Sequence, residues 1–203
     1  TTVATGTLTV TSKGAITDSG QVTVTGTTTL TATGKTITLD ESTSTYTGAM
    51  ALTGTDISVI NNTATVLDDV TAKGAFTLES AGAVTTTGID TIVGRATVTA
   101  GNGTLDITLD DAANKFGSVS MFGMDITLVE ADATNLYTTE GSGDFSLTSA
   151  GAVTDSGDVN ITGTTTIAAG ANAITLDSAG SGFIDAMTLT GSNIAITNSE
   201  ATD

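Results

Sequence analysis

Residues 14–20 read Gly-Ala-Ile-Thr-Asp-Ser-Gly, and the same passage returns twice further along the chain. It reads Gly-Ala-Val-Thr-Thr-Thr-Gly at residues 82–88 and Gly-Ala-Val-Thr-Asp-Ser-Gly at residues 151–157. The passage thus begins at Gly14, Gly82 and Gly151, at a nearly constant step. Self-similarity at a fixed long period is typical of proteins that stack one supersecondary unit on the next. Three copies use nearly all of the 203 residues, so the repeat organises the whole chain.

The copies share further landmarks outside this passage. Each has an Ile-Thr-Leu-Asp segment, a following aromatic residue and a glycine at a matching break: Asp40, Asp110 and Asp177; Tyr46, Phe116 and Phe183; Gly26, Gly94 and Gly163. No linker and no change in composition separates the copies. We therefore predict one continuous domain over residues 1–203, with repeats at about 6–73, 74–142 and 143–203.

Within a copy, apolar residues alternate with polar ones, as in Thr7-Leu8-Thr9-Val10 and Asp56-Ile57-Ser58-Val59. Alternation with period two predicts strands that bury one set of side chains and expose the other. Threonine, a β-branched residue suited to strands, is the commonest residue of the chain. Gly, Asn, Asp and Ser clusters separate the short strands.

The strands are short, and their spacing predicts a coil. Leu8, Leu30 and Leu52 recur at a constant interval of 22, which favours three strands per turn and an internal ladder of stacked leucines. We predict an all-β parallel β-helix (β-solenoid) of about nine coils of about 22–23 residues, three coils per copy, roughly 43 Å long. A tandem of small β-sandwich domains is the alternative.

The composition excludes several classes of function. The chain has 22 acidic and five basic residues and a formal net charge of −17, so nucleic-acid binding and charge-driven membrane attachment are not expected. No apolar run reaches the length of a membrane span, and the first residues do not have the basic-plus-apolar pattern expected of a leader. The first residue is not Met, from which we expect a mature product or an excised segment. The chain has no cysteine and no proline.

The ends of the predicted coil are expected to be open. A strand begins at Thr7, and residues 198–203 stop where the other copies continue. An uncovered strand edge pairs readily with another strand. We therefore expect either a homopolymer formed by head-to-tail stacking or a segment of a longer chain.

The segment at residues 151–167, continued by Ala173-Ile174-Thr175-Leu176-Asp177, resembles the repeats of large bacterial secreted and surface β-helix proteins. The nearest families are filamentous-haemagglutinin-like exoproteins and giant autotransporter-type adhesins, and the resemblance covers all three copies. It implies a right-handed β-helix outside a bacterial cell, at the cell surface, in attachment, biofilm matrix or surface layers. Cell-surface or matrix glycans are the partners it implies.

No catalytic residues and no cofactor site are predicted, so we do not expect an enzyme. The chain lacks His and Cys, and its five basic residues are scattered. The adjacent acids Asp68-Asp69 and Asp110-Asp111 face opposite ways if they lie on strands, which does not suit paired-carboxylate chemistry. Weak calcium binding by turn carboxylates is the one metal expectation, although Asp40, Asp110 and Asp177 would lie about 14 Å apart, three coils from each other.

Three surface features keep a binding function open. A flat threonine-rich face could recognise a glycan or ice, although valine at 93, asparagine at 160 and Arg95 interrupt the pattern. Phe122 replaces Thr53 and Thr190 at an outward position, so it is a candidate contact point. Asn-x-Thr triplets begin at residues 61, 102 and 160.

The prediction favoured by these features is a structural repeat unit of an extracellular bacterial fibre or adhesin that assembles end to end. A solenoid that binds glycan or ice through a threonine-rich face is the alternative. A carbohydrate-active enzyme is a third and less favoured hypothesis.

Overall fold

The short alternating segments form strands that pair in parallel with the strands one turn before and one turn after them. The computed structural model describes residues 1–200, and the last three residues of the predicted third repeat lie outside that range. The fold is an all-β parallel β-solenoid of about ten turns with almost no helix. The predicted fold class is confirmed, the sandwich alternative is wrong, and the right-handed sense of the coil stays a prediction.

Twenty-six strands and one short helical turn make up residues 1–200. They are β1 (Thr2–Ala4), β2 (Leu8–Thr11), β3 (Ile16–Thr17), β4 (Val22–Val24), β5 (Thr28–Thr31), β6 (Ile37–Leu39), β7 (Thr45–Tyr46), β8 (Met50–Gly54), β9 (Ile57–Asn61), β10 (Thr65–Leu67), β11 (Thr71–Ala72), β12 (Phe76–Ser80), β13 (Val84–Thr86), β14 (Thr91–Ala100), the 3-10 turn (Gly101–Gly103), β15 (Ile107–Leu109), β16 (Lys115–Gly123), β17 (Ile126–Glu130), β18 (Thr134–Gly141), β19 (Phe145–Ser149), β20 (Val153–Asp155), β21 (Val159–Ile161), β22 (Thr165–Ala168), β23 (Ile174–Leu176), β24 (Gly182–Phe183), β25 (Met187–Thr190) and β26 (Ile194–Ile196).

The core is a stack of inward-facing aliphatic and aromatic side chains, one layer per turn. Leu30 and Leu52 are register partners and are 2 % and 0 % exposed, so the predicted ladder exists between these two residues. The first step of that ladder was predicted wrongly. Val10, and not Leu8, pairs with Leu30, because the first turn is slightly shorter than the second.

Many turns are shorter than the predicted length. Thr28 pairs with Met50 in the second turn, which matches the predicted interval, whereas Ile57 pairs with Phe76 across a turn that is visibly shorter in sequence. Shorter turns explain why the chain makes about ten turns and not nine. At about 4.8 Å per turn the solenoid is about 48 Å long.

Equivalent strands of successive copies lie in different strand columns, since β2 stacks with β5 and β8 whereas its equivalent β12 stacks with β9 and β14. Seven strand pairings lead from Leu8 in β2 through β5, β8, β10, β13, β15 and β17 to Leu147 in β19, the equivalent strand two copies further on. A copy therefore takes about three and a half turns, whereas the expectation was three. Each copy is turned by nearly half a circuit relative to the copy before it, and the third copy lies almost in line with the first.

Glycines stack where the backbones of adjacent turns touch. A Cβ atom on Gly26 would lie 2.7 Å from the carbonyl carbon of Gly6, and one on Gly48 would collide with the carbonyl group of Gly26. Gly94 and Gly163, the equivalents of Gly26, meet Gly74 and Gly143 in the same way. The repeated glycine therefore keeps this corner narrow in every copy.

Candidate functional site

The two ends of the solenoid expose apolar side chains that are buried in every inner turn. At the start, Leu8 and Val10 are only half-buried, and at the other end Met187 and Leu189 are half-buried while Ile194 is 46 % exposed. The inner residue Leu52 occupies a corresponding inward position and is fully buried. At each end, the outermost core layer is thus covered by a neighbouring turn on one side only.

The N-terminal end also has a concave opening. A cavity of about 290 Å³ is lined by apolar side chains of the first three turns together with Asp18: Leu8, Val10, Ile16, Val22, Leu30, Leu39 and Tyr46. The opening leads into the core, where the next layer of side chains would sit in a longer solenoid.

A polar wedge closes one strand column in each copy, beside the repeated aromatic residue. In the first copy the Tyr46 N–H donates to Asn61 Oδ1 at 2.9 Å, and Asn61 Nδ2 donates to the Tyr46 carbonyl at 3.0 Å. Asn61 is fully buried. Its side-chain amide therefore pairs with Tyr46 as a neighbouring strand would, at the point where the column β1, β4, β7 ends.

The same wedge recurs with Phe183 and Asn198 in the third copy. The Phe183 N–H donates to Asn198 Oδ1 at 2.9 Å, and Asn198 Nδ2 donates to the Phe183 carbonyl at 3.0 Å. In the middle copy a glutamate takes the place of the asparagine. The Phe116 N–H donates to Glu130 Oε1 at 2.8 Å, whereas Glu130 Oε2 is buried without a hydrogen-bond partner.

A second polar side chain supports each wedge from the other side, two residues before the aromatic residue. Ser44, Asn114 and Ser181 are all fully buried. Their side chains accept backbone N–H groups from the preceding turn, with Val22, Asp90 and Val159 as donors at 2.9, 2.8 and 3.0 Å. A buried polar pair of this kind satisfies backbone groups that a strand would otherwise pair with.

Burial shifts the pKa of four groups. It raises the pKa of Glu130 to about 7 and that of Asp90, which accepts hydrogen bonds from Val70 N–H and Thr86, to about 6. Burial, with a smaller contribution from Asp18, raises the pKa of Tyr46 to about 12, and burial also raises the pKa of Asp18. Asp90 and Glu130 both lie in the second copy.

A shallow groove of about 670 Å³ runs along the outer surface beside Phe122. Successive turns place Thr99, Phe122, Glu140 and Asn160 in one outward-facing column. The turn Gly101–Gly103, in which all three residues have positive φ, places Asn102 along one side of the groove. The groove therefore combines one aromatic face with amide, hydroxyl and carboxylate groups.

The remaining predicted sites are dispersed. Asp69 Oδ1 accepts the Ile89 N–H and so holds the next coil of the solenoid. Asp111 Oδ1 accepts the Ala113 N–H and so stabilises its own loop. Asp40, Asp110 and Asp177 follow β6, β15 and β23, which lie in different columns and not one above another. Of the three Asn-x-Thr triplets, the one at Asn61 is fully buried and cannot carry a glycan, whereas Asn102 and Asn160 are exposed.

An aspartate column appears that the sequence reasoning missed. Asp106, Asp125 and Asp144 occupy equivalent positions on consecutive turns, and each accepts an N–H from the next turn, at 3.3, 2.8 and 2.8 Å. These carboxylates thus stabilise the backbone of the next turn. Within residues 1–200, no group of three His, Cys, Asp or Glu side chains has the arrangement of a metal site. Weak calcium binding stays a prediction.

The outward threonines form one-residue-wide rows along the solenoid axis. Thr85, Thr108, Thr127, Ser146, Thr166 and Thr188 are consecutive register partners along one face. The neighbouring outward row is broken by Val129 and Ala168. Arg95, expected only as an interruption, lies 3.5 Å from the centre of the Tyr137 ring in a cation–π contact. A regular two-dimensional hydroxyl array is therefore missing from this face.

A protein-family profile matches most of the chain. The profile of a family described as repeats of unknown function (DUF5649) matches residues 1–53, 54–121 and 123–190. Neither the curated proteins nor the solved structures contain a match to the chain. Within residues 1–200 no helix has the length and apolar character needed to cross a membrane.

Proposed function

We propose that this chain, which belongs to the family of repeats of unknown function (DUF5649), is a structural rod segment whose end turns bind further turns of the same kind. The observation that carries this proposal is the pair of outermost core layers covered on one side only, with Leu8 and Val10 at one end and Met187 and Leu189 at the other. Covering these side chains removes apolar surface from water, and the open strand edges gain hydrogen bonds. The added turns come from a second copy or from the same polypeptide.

The rod segment acts mechanically in this proposal. Parallel ladders run along the axis through all turns, so tension on one end is carried by many backbone hydrogen bonds and not by one contact. The net charge of −17 opposes side-by-side association, which leaves the ends as the preferred contacts. An extracellular place in a bacterial fibre or adhesin, without enzymatic activity and without a cofactor, completes the proposal and is supported by the resemblance of the repeats.

Sedimentation velocity at rising protein concentration, combined with negative-stain electron microscopy, tests end-to-end assembly. Leu189→Asp and Val10→Asp each place a charge in an end layer and are expected to abolish longer rods. Thr188→Asp and Thr9→Asp are matched controls, because these neighbours point outward and are exposed. Monomers at all concentrations for the unmodified chain, or equal effects of the paired substitutions, would contradict assembly between copies. Protease digestion of intact source cells tests the extracellular location.

A second candidate function is saccharide binding in the groove beside Phe122. The groove favours this class because an aromatic face lies next to hydroxyl, amide and carboxylate groups that suit sugar hydroxyls. Glu140 and the negative net charge favour an uncharged sugar chain over an anionic one. A glycan array compares the unmodified chain with Phe122→Ala and with the control Val93→Ala, an exposed apolar residue outside the groove. Binding that survives Phe122→Ala, or no binding at all, excludes the groove.

A further inference from the structure

The wedges of the three copies differ in one respect, the number of hydrogens that the wedge side chain donates. Asn61 and Asn198 each donate from Nδ2 to the carbonyl of the aromatic partner. A carboxylate at position 130 has no hydrogen to donate. An ionised Glu130 would therefore leave its Oε2 without a partner and could not supply the Phe116 carbonyl with the hydrogen that the asparagines supply to Tyr46 and Phe183.

The hydroxyl network next to the wedge also takes a hydrogen from the wedge side chain. In the first copy Asn61 Nδ2 donates to Thr65 Oγ1, Thr65 donates to Ser80 Oγ, and Ser80 donates to the Thr63 carbonyl. In the middle copy Thr134 donates to Ser149 Oγ, which donates to the Asp132 carbonyl. When the single hydrogen of Thr134 is used in this way, its oxygen can accept a hydrogen from Glu130. A hydrogen bond from Thr134 to an ionised Glu130 would lower the pKa of Glu130, but by less than burial raises it.

We propose that Glu130 is uncharged in the folded protein, and that its Oε2–H supplies the hydrogen bond which the Asn61 and Asn198 amides supply in the other two copies. The proton lies on Oε2 because Oε1 already accepts the Phe116 N–H. Glu130 is 2 % exposed and Oε2 has no other partner, so no water-facing position is open to a charge. The middle wedge is consequently intact only while this proton is bound.

The surroundings do not compensate a charge at this position. Asp132, on the loop after β17, is the acid that acts on Glu130, and it disfavours ionisation. Lys115, next to Phe116 in β16, is exposed to solvent, and Asp111 lies in the turn before it. The strand above, β19, contributes Ser149, which carries no charge. Loss of the proton would therefore leave a buried negative charge that the charge of Asp132 destabilises further.

The middle copy, which lies between the first and third copies, thus contains a wedge whose stability depends on pH. Burial raises the pKa of Glu130 to about 7, so the stability that this wedge contributes falls as the pH rises from about 5 to about 8. The first and third copies have asparagines at this position and lack the dependence. A rod of many copies would be sensitive to pH only where a glutamate replaces the asparagine.

Carbon-13 NMR of protein labelled at the glutamate carboxyl carbons tests the protonation directly. The chain has five glutamates, and we expect one signal that stays in the protonated position at pH 5.5 and titrates near neutral pH. This signal should be missing in Glu130→Gln. If all five signals are those of ionised carboxylates at pH 5.5 in the folded protein, the proposal is wrong, and this readout does not depend on the variant folding.

Unfolding measurements test the consequence for stability. Glu130→Gln keeps the shape and supplies the donor permanently, so its unfolding equilibrium constant should be lower than that of the unmodified chain at pH 8, by on the order of 100-fold. Glu79→Gln, at an exposed carboxylate, is the matched control and should not change the pH profile. Asn61→Asp should introduce a similar pH dependence in the first copy. A pH profile unaltered by both wedge substitutions would overturn the proposal.

Discussion

The side-chain amide of Asn61 pairs with both backbone groups of Tyr46, at 2.9 and 3.0 Å, and so replaces a strand at the end of a column. Asn61→Ala would leave the Tyr46 N–H and carbonyl buried without partners. We expect a loss of about 3 kcal/mol in the free energy of unfolding. Asn62→Ala, one residue further and exposed, should cost far less. Urea unfolding followed by circular dichroism checks both values, and equal losses would show that the amide pair does not contribute.

The close glycine corner gives a second prediction. A methyl group on Gly48 would collide with the Gly26 carbonyl, so Gly48→Ala should force adjacent turns apart and destabilise the protein by about 2 kcal/mol or more. Gly6→Ala, at the first turn, meets no atom within 4 Å and should be tolerated. Thermal unfolding of the two variants makes the comparison, and a tolerated Gly48→Ala would contradict the tight corner.

The core stack predicts a cavity effect that depends on position. Leu52 is fully buried between adjacent turns, so Leu52→Ala should cost about 3 kcal/mol. Leu8→Ala makes the same change in the half-buried first turn and should cost less than half as much. Denaturant unfolding at a concentration where the protein is monomeric gives both values. Similar costs would indicate that the first turn is covered in solution.

Asp90 gives a prediction about pH that is independent of Glu130. Its pKa is raised to about 6, so the folded protein holds this proton more tightly than the unfolded chain, and stability falls as the pH rises from about 4 to above 6. The effect is about 3 kcal/mol.

Asp90→Asn should remove this part of the pH dependence, because Oδ1 still accepts the Val70 N–H and the new amide can donate to Thr86, which in turn donates to the Gly88 carbonyl at 2.9 Å. Asp177→Asn is the control, because this acid is exposed and does not act on Asp90. Free energies of unfolding from pH 4 to 8 check the prediction. A profile for Asp90→Asn that parallels the unmodified chain would contradict it.

The parallel coil could be predicted because its cause lies in local sequence. Period-two alternation, with the regular recurrence from Leu30 to Leu52, specifies which residues stack. The same recurrence misled the assignment of Leu8, because a slightly shorter first turn looks like its neighbour until the partner of Val10 is known. Turn length is determined by how tightly the corners close, and a corner such as Gly48 on Gly26 is a contact between distant residues.

The wedges could not be predicted from composition or periodicity. Tyr46, Phe116 and Phe183 were recognisable as repeated aromatics, but Asn61 and Asn198 read as polar residues at strand ends. Their function depends on a strand column that ends beside them, which is a property of the three-dimensional stack. The signal that was available is the identical sequence separation of aromatic and asparagine in the first and third copies, with Glu130 as the exception.

The fraction by which each copy exceeds three whole turns has a consequence for any partner that approaches the rod from the side. A feature that occurs once per copy, such as the aromatic wedge, changes sides from one copy to the next and returns close to its first side in the third copy, since Asn61 and Phe183 are joined by one series of strand pairings. A partner lying flat along the rod would meet that feature in every second copy, whereas a partner that encircles the rod would meet it in each copy. The geometry suits partners that wrap around the axis better than partners that lie along it.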